Sequence, residues 1–404
     1  MAMNSTYVQL TILLLSLLQL HSLPVFQVYW NVPSDDCLDV RPELFNITTN
    51  TGHHFVGDKL VIFYSFGALP YCNEAVQAGL NNEESECDHP MNGGAANLSI
   101  HLTQIENDIN EKIPNEQFDG LAIIDWEAWR PIFELNHSSR RVYQRYSRYL
   151  AQQHCENCTD KQIDKLAHEE FEQGAKDFML ITLSFARALR PSAKWGFWEY
   201  PLCNDDVGYT TTTQCSVLHH AANKKLMWLY EATDILLPKI YFYNVSSQAS
   251  RRQYHVYGEL HQAQAINRAL EPHKKPIFAY AKLEYKILHY FNVLHTVNWN
   301  EATETIDDYF YSKIDVCNTL KYPYELGVDG VIIWGSSYHM NDRCDLMTNY
   351  LNELFGPFAS IVVGEAIRCS EVKCKGCGRC VADDSSPPKR CQLGEWKSTH
   401  CEPI

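Results

Sequence analysis

Short apolar runs alternate along the chain with longer segments whose apolar residues recur at helical spacing. The runs predict strands at Val25–Asn31, Leu60–Ser65, Leu121–Ile124, Trp195–Tyr200, Ile235–Tyr243, Ile277–Tyr280 and Val331–Trp334. The segments between them predict helices at Ile100–Ile113, Arg141–His154, Ile163–Leu189, Val217–Thr233, Gln253–Leu270 and Glu301–Leu320. This alternation predicts an α/β fold with a parallel sheet. About seven strand–helix units favour a TIM-like (β/α) barrel over a doubly wound sheet.

One stretch, Phe118–Pro131, combines a buried strand with two acids. Leu121–Ile124 are apolar on both faces, as in a strand that is covered on both sides. Because side chains alternate along a strand, Asp125 and Glu127 should share one face, while Trp126 packs on the other. Enzymes of this fold class keep their active sites at the carboxyl ends of strands, so these two acids are the leading catalytic candidates.

Two carboxyl groups held this close cannot easily both ionise, so the pKa of one should rise and supply a general acid. Trp126, Trp129 and Arg130 flank the pair with groups that a sugar-binding cleft would use. Proton donation to a glycosidic oxygen is the natural chemistry. The alternative is structural, because acids at strand ends also cap the following helix.

The length and the net charge of the chain limit its domain count and its partners. The 404 residues can hold one large domain and a small one. A net charge of -15 argues against a nucleic-acid partner. An anionic polymer would have to meet a local basic patch against this overall repulsion. We expect no cofactor.

Several features indicate export. Residues 1–24 contain the apolar run Leu10–Leu20 and are predicted to be a signal peptide; a buried N-terminal helix is the alternative. Fifteen cysteines are too many for a reducing compartment. No later segment is long and apolar enough to span a membrane. Glycosylation motifs occur at Asn46, Asn97, Asn136, Asn157 and Asn244.

The composition changes near the C-terminus. From Cys369 to Cys401 there are six cysteines and few apolar residues, so this segment needs disulfides to be stable. We therefore expect a barrel domain over residues 25–365 and a small module over 366–404. Cys-x-x-Cys spacings, such as Cys155 to Cys158, could also hold zinc, but an exported protein favours disulfides and we expect no metal.

The central stretch, Phe-Asp-Gly-Leu-Ala-Ile-Ile-Asp-Trp-Glu-Ala-Trp-Arg-Pro, resembles the signature strand of the hyaluronidase family of glycoside hydrolases. The resemblance runs from about Tyr29 to the C-terminus. Further motifs resemble that family in the same order: Ile62–Ser65, Arg187–Pro191, Trp195–Phe197 with Pro201 and Cys203, Pro238–Tyr241, and Gly330–Trp334.

This resemblance implies an endo-β-N-acetylhexosaminidase that cleaves β-1,4 linkages of hyaluronan, and of chondroitin as a second polymer, with retention. It implies a distorted (β/α) barrel and a C-terminal module like an epidermal growth factor (EGF) domain. The nucleophile would be the acetamido carbonyl of the substrate itself. Glu127 would be the acid and then the base, and Asp125 would orient the acetamido group. We expect a secreted monomer.

Aromatic residues would complete the sugar site. The resemblance implies that Tyr241 contacts the acetamido group and that Trp334 walls the pocket of the reactive sugar. Tyr64 is a further candidate for substrate binding. Barrel packing is the alternative role for such aromatics.

Two positions leave a choice open. The family has Tyr where this chain has Trp198, so a hydroxyl that positions the acetamido group is missing. Tyr200 would share its face on a strand and could compensate; otherwise the chain is a catalytically weak hyaluronan-binding protein on the same barrel. Arg130 either binds a substrate carboxylate or forms an ion pair that holds the acids.

The resemblance also implies disulfides between Cys37 and Cys344, Cys203 and Cys215, Cys369 and Cys380, and Cys391 and Cys401. Among the other cysteines, Cys72 with Cys87 is the best guess. Cys374 has no assigned partner and Cys377 is extra relative to the family. An odd total leaves at least one thiol unpaired within the chain.

Overall fold

The computed structural model describes residues 25–68, 71, 95–210, 212–242, 247–285, 309–383, 391 and 399–403. The expected signal peptide and the guessed Cys72–Cys87 pair lie outside these residues. Within them, none of the helices combines the length and the hydropathy that a membrane span requires.

Six short parallel strands surround a common core. They are β1 (Gln27–Asn31), β2 (Leu60–Phe63), β3 (Leu121–Ile124), β4 (Lys194–Phe197), β5 (Phe278–Lys282) and β6 (Gly330–Trp334). They pair in two sheets, ordered β1-β6-β5 and β2-β3-β4. In the second sheet Ile123 is in register with Ile62 and Gly196. Each of these six strands overlaps a segment where the sequence predicts one, with ends that differ by a few residues at most.

Irregular segments connect the two sheets. Residues 234–241 lie between β4 and β5: Leu237 N donates to Tyr200 O at 2.7 Å, and Leu236 forms a bridge with Ile277. The strand predicted over Ile235–Tyr243 is therefore wrong as a continuous strand. Pro238 interrupts it because proline has no N–H to donate to a ladder.

On the other side, Trp30 N donates to Thr48 O at 2.9 Å, and the Asn50 side chain bonds both backbone groups of Leu60. These contacts place the strands in a barrel-like ring.

Helices pack outside the ring. They are α1 (Ala95–Lys112), α2 (Arg141–His154), α3 (Asp160–Leu189), α4 (Val217–Lys225), α5 (Met227–Ala232), α6 (Ala249–Ala269), α7 (Lys313–Val316), α8 (Tyr322–Glu325), α9 (Met340–Tyr350) and α10 (Gly356–Lys373), with π-helical turns at Cys317–Lys321 and Leu351–Phe355. The helix predicted over Val217–Thr233 breaks at Leu226. The sequence analysis missed α9 and α10. Residues 301–308 of the last predicted helix lie outside the described part.

The apolar interior divides into two clusters. Side chains that point inside the ring, among them Ile62, Ile123 and Ile332, pack with Trp198 and Tyr241. The alternate side chains of the same strands pack outward against the helices. A strand buried on both faces explains why Leu121–Ile124 is a continuous apolar run.

Six disulfides join the described residues. Cys37 pairs with Cys344, Cys203 with Cys215, and Cys369 with Cys380, in agreement with the resemblance; Cys155 pairs with Cys158. The exposed Cys377 has no disulfide partner within the described part of the chain.

The expected pairing of Cys391 with Cys401 is wrong. Cys391 pairs with Cys317, which is buried in a π-helical turn of the main domain, and Cys401 pairs with Cys374. The geometry explains the exchange, because Cys401 lies on β8 (Thr399–Pro403), paired with β7 (Gly378–Ala382), within reach of the end of α10. The C-terminal segment is thus joined covalently to the larger domain, and α10 runs without interruption across residues 365–366.

Candidate active site

Asp125 and Glu127 lie where β3 ends, at the carboxyl end of the parallel strands. Leu121 and Ile123 of β3 pack inside the ring, whereas Trp126 packs in the outer cluster. Asp125 N donates to Phe63 O at 2.9 Å, so the backbone still follows the neighbouring strand at this point. The alternation predicted from the sequence therefore holds, and both carboxyl groups face the same cleft.

Two cavities meet at this acid pair. The larger, of about 610 Å³, is lined by Tyr64, Ser65, Gly67, Tyr71, Asp125, Glu127, Ala128, Ser139, Arg140, Val142 and Tyr143. The smaller, of about 210 Å³, is lined by Ile62, Asp125, Glu127, Trp198, Tyr241, Lys282 and Trp334. Across the cleft, Trp334 Nε1 donates to Tyr64 Oη at 2.7 Å. The acids thus have a binding space on each side, as cleavage of a chain between two units requires.

Aromatic rings form the walls of the smaller cavity. Tyr241 stacks on Trp334 with ring centroids 6.2 Å apart and contacts Trp198 at 6.1 Å. Lys282 Nζ lies over both Tyr241 and Trp334, 4.5 and 4.7 Å from the ring centroids. Burial lowers the pKa of Lys282 to about 8, against the raising effect of Glu284 and Glu127. The sequence analysis missed Lys282, although its place directly after a predicted strand could have revealed it.

The acid pair was expected to contain one carboxyl group with a raised pKa, and Asp125 has such a pKa. Burial, together with the charges of Glu127 and Glu199, raises its pKa to about 7, and Arg130 acts in the opposite direction. Its Oδ1 is buried and has no hydrogen-bond partner among the described residues. A buried acceptor without a partner is costly, so a substrate donor at this point would be bound favourably.

Arg130 is placed beneath the cleft and not within it. Its side chain is 8% exposed and pairs with Glu199, and it lines neither cavity. The expectation that Arg130 binds a substrate carboxylate is therefore disfavoured, because its guanidinium is already engaged and inaccessible. The ion-pair alternative fits this geometry.

Glu199 joins two cations under the acid pair, and the sequence analysis missed it. Lys239 Nζ donates to Glu199 Oε1 at 2.6 Å and to Asp205 Oδ1 at 2.8 Å. The charges of Arg130 and Lys239 lower the pKa of Glu199, although burial alone would raise it. Lys239 also lies over the Trp198 ring, 5.7 Å from its centroid. Sequence separation hides this network, because Glu199 lies 69 residues from Arg130.

Trp198 lines the smaller cavity, but Tyr200 does not share its face. The strand ends at Phe197, and Glu199 adopts a left-handed conformation with φ of 75°. Alternation is lost at this residue, so Tyr200 turns into the outer core, where it is 3% exposed. The expectation that Tyr200 compensates for the missing hydroxyl is wrong.

The glycosylation motifs differ in access. Asn46 and Asn157 are exposed. Asn136 is fully buried: its Nδ2 donates to Arg130 O at 2.8 Å and its Oδ1 accepts from Arg130 N at 2.8 Å. The expectation of a glycan on Asn136 is wrong for the folded chain, because the amide holds the loop after β3. The side chains of Asn97 and Asn244 lie outside the described part.

Comparison with known proteins adds sequence relatives. A glycoside hydrolase family model described as hyaluronidase matches residues 18–399. A chondroitin hydrolase from Caenorhabditis elegans is 34% identical over 363 residues, which cover 87% of this chain and 73% of the relative. Human hyaluronidase-1 is 30% identical over 90% of this chain and 79% of its own length.

A solved structure is similar as well. Bee venom hyaluronidase in complex with a hyaluronic acid tetramer superposes with a TM-score of 0.70 at 28% identity, over 83% of this chain and 99% of that protein.

Proposed function

The chain belongs to the hyaluronidase family of glycoside hydrolases, and from this premise we propose that it cleaves β-1,4 linkages of hyaluronan as an endo-β-N-acetylhexosaminidase. The observation that carries the proposal is the acid pair Asp125 and Glu127, with a cavity on each side. A polymer that enters both cavities presents one glycosidic bond to the pair.

The reaction that fits this pair is substrate-assisted. The N-acetyl sugar occupies the smaller, aromatic cavity, and its acetamido carbonyl oxygen forms a bond to the anomeric carbon as the glycosidic bond breaks. Glu127 gives its proton to the leaving oxygen. Glu127 then takes a proton from the water that opens the cyclic intermediate, and the configuration is retained.

The raised pKa of Asp125 supports a defined path for the proton. In the free enzyme at mildly acidic pH, Asp125 holds a proton because burial and two neighbouring acids disfavour its charge. When the acetamido N–H donates to the unpartnered Oδ1, the ionised form of Asp125 becomes favoured. Asp125 therefore loses its proton as it binds the N–H, and Glu127 protonates the leaving oxygen.

The surrounding residues receive supporting roles. Tyr241 contacts the acetamido group and Trp334 packs on the reactive sugar, consistent with their place in the smaller cavity. Tyr64 contacts the chain at the opening of the larger cavity. Arg130 stabilises the ionised form of Asp125 from beneath the cleft.

Two observations support second candidates. The 34% identical relative is named a chondroitin hydrolase, so chondroitin is the alternative polymer. Trp198 brings no hydroxyl to the smaller cavity, which favours a weak catalyst that binds hyaluronan. Comparison of the initial rates on hyaluronan and chondroitin, with direct binding of both, separates these candidates.

We also propose a domain organisation for the chain and a location outside the cell. Residues 25–365 form a distorted (β/α) barrel and residues 366–404 an EGF-like module, supported by the ring of parallel strands and by the disulfides of the C-terminal segment. The protein is secreted after loss of residues 1–24, consistent with six disulfides in the described residues. We also propose that it acts as a monomer.

The stereochemistry provides a test of the mechanism. Proton NMR of the first products from hyaluronan should show the reducing-end N-acetyl sugar formed as the β anomer. Initial formation of the α anomer would exclude the acetamido nucleophile and require direct attack by water.

A further inference from the structure

One guanidinium in the cleft has no role in the mechanism above. Arg140 lines the larger cavity, and its Nε donates to the backbone carbonyl oxygen of Glu127 at 3.0 Å. Within the described part of the chain, this carbonyl is its one hydrogen-bond partner, so the terminal nitrogens remain available. A guanidinium fixed along one edge is well prepared to bind a carboxylate with the other.

Two further arginines follow Arg140 along the chain. Arg141 and Arg145 lie in the first two turns of α2, four residues apart, and both are exposed. Neither they nor Arg140 form an ion pair with any acid among the described residues, whereas the next arginine, Arg148, pairs with Asp164. In a chain with a net charge of -15, these three residues are a group of cations close together in the sequence that have no acidic partner among the described residues.

The two cavities differ in the groups that lie against the cation in each of them. In the smaller cavity Lys282 lies against the rings of Tyr241 and Trp334. In the larger cavity the guanidinium of Arg140 lies beside Glu127 and has no ring contact among the described residues. The larger cavity therefore suits a charged sugar, and the smaller one suits a neutral sugar with apolar faces.

We propose that Arg140 binds the carboxylate of the uronic acid on the leaving-group side of the scissile bond, and that Arg141 and Arg145 attract the chain beyond it. This inference rests on the proposed function and deepens it. The enzyme then selects polymers whose leaving sugar is anionic, and the three cations overcome the repulsion between an acidic protein and a polyanion.

The test compares hyaluronan with its carboxyl methyl ester, which has the same backbone without the charge. Arg140→Gln should lower kcat/KM on hyaluronan on the order of 10- to 100-fold, as expected for the loss of a charge-assisted hydrogen bond, and should lower the rate on the ester by a much smaller factor. Arg140→Lys keeps the charge without the planar fork and should recover part of the loss. Lys194→Gln is the control, because Lys194 is exposed at the opposite end of β4.

Two other outcomes of this comparison overturn the proposal. An unchanged rate on hyaluronan means that Arg140 binds no carboxylate. An equal loss on both polymers means that Arg140 acts on Glu127 through its carbonyl oxygen, which is a positioning role. If the unmodified protein cleaves neither polymer, the proposed function fails, and calorimetric binding of a hyaluronan tetrasaccharide decides this inference alone. Weaker binding by Arg140→Gln than by the unmodified protein supports it, and equal binding overturns it.

A double variant tests the proposed role of Arg141 and Arg145. Arg141→Gln with Arg145→Gln should raise KM for long hyaluronan several-fold, weaken its dependence on salt, and leave short oligosaccharides unaffected. The matched control removes two charges from the other end of the barrel, with Lys194→Gln and Arg268→Gln. If both double variants behave alike, net charge accounts for the effect and Arg141 and Arg145 have no special role.

Discussion

Replacement of Asp125 by asparagine should stabilise the protein in a pH-dependent way. The pKa of Asp125 rises from 3.8 to about 7 in the folded state. Because the folded-state pKa lies above the unfolded value, the ionised side chain costs stability, and this cost grows as the pH rises from about 4 to about 7. A shift of roughly three units corresponds to about 4 kcal/mol at pH 8. Asparagine has the same shape and no charge, so it avoids the cost.

The assay is thermal unfolding of the unmodified protein and of Asp125→Asn at pH 5 and pH 8. The difference in free energy of unfolding should grow by about 3 kcal/mol between these values, since two of the three units lie in this interval. For a chain of this size that is a change of about 3 to 4 °C in the Tm difference. Asp345→Asn on α9 is the control, because Asp345 is exposed. A Tm difference that is the same at both pH values would refute the buried, charge-repelled environment of Asp125.

Three further substitutions test the site and the fold. Trp198→Tyr should raise turnover if a missing hydroxyl limits the reaction; unchanged turnover in a pH-rate assay would remove Trp198 as the limiting residue. Arg130→Met removes the cation that lowers the pKa of Asp125, so the alkaline limb of the activity profile should move to higher pH, and a fixed limb in a folded variant would contradict this coupling. Cys317→Ser with Cys391→Ser opens a loop of 74 residues and should cost about 4 kcal/mol in denaturant unfolding; peptide mapping that finds Cys391 joined to Cys401 would contradict the pairing.

Some elements of the structure could be predicted from the sequence, and others could not. Leu121–Ile124 could be predicted to the residue, because a strand covered on both faces leaves an uninterrupted apolar run. The acid pair followed from the same alternation. The strand predicted from Ile235 is interrupted at Pro238, although the alternation of its side chains continues beyond it. Alternation itself fails at Glu199, whose left-handed backbone turns Tyr200 outward.

Contacts between residues that are far apart in the chain could not be predicted from the sequence, for a different reason. The partner of Arg130 lies 69 residues away, and the partner of Cys391 lies 74 residues away. Neither distance leaves a local periodic signal. Arg140 was missed because its place in the cleft depends on a hydrogen bond to a backbone carbonyl across a loop, and an arginine before a helix is ordinary in a sequence.

The most direct measurement is the release of reducing ends from hyaluronan by the intact protein, by Glu127→Gln and by the control Glu106→Gln on α1, at mildly acidic and neutral pH. Circular dichroism establishes that the variants fold. We expect the intact protein and the control to cleave the polymer and the Glu127 variant to lose nearly all hydrolysis, because glutamine cannot donate a proton to the leaving oxygen. Full activity in folded Glu127→Gln would contradict the assignment of the acid. Binding without hydrolysis by the intact protein would contradict the proposed reaction.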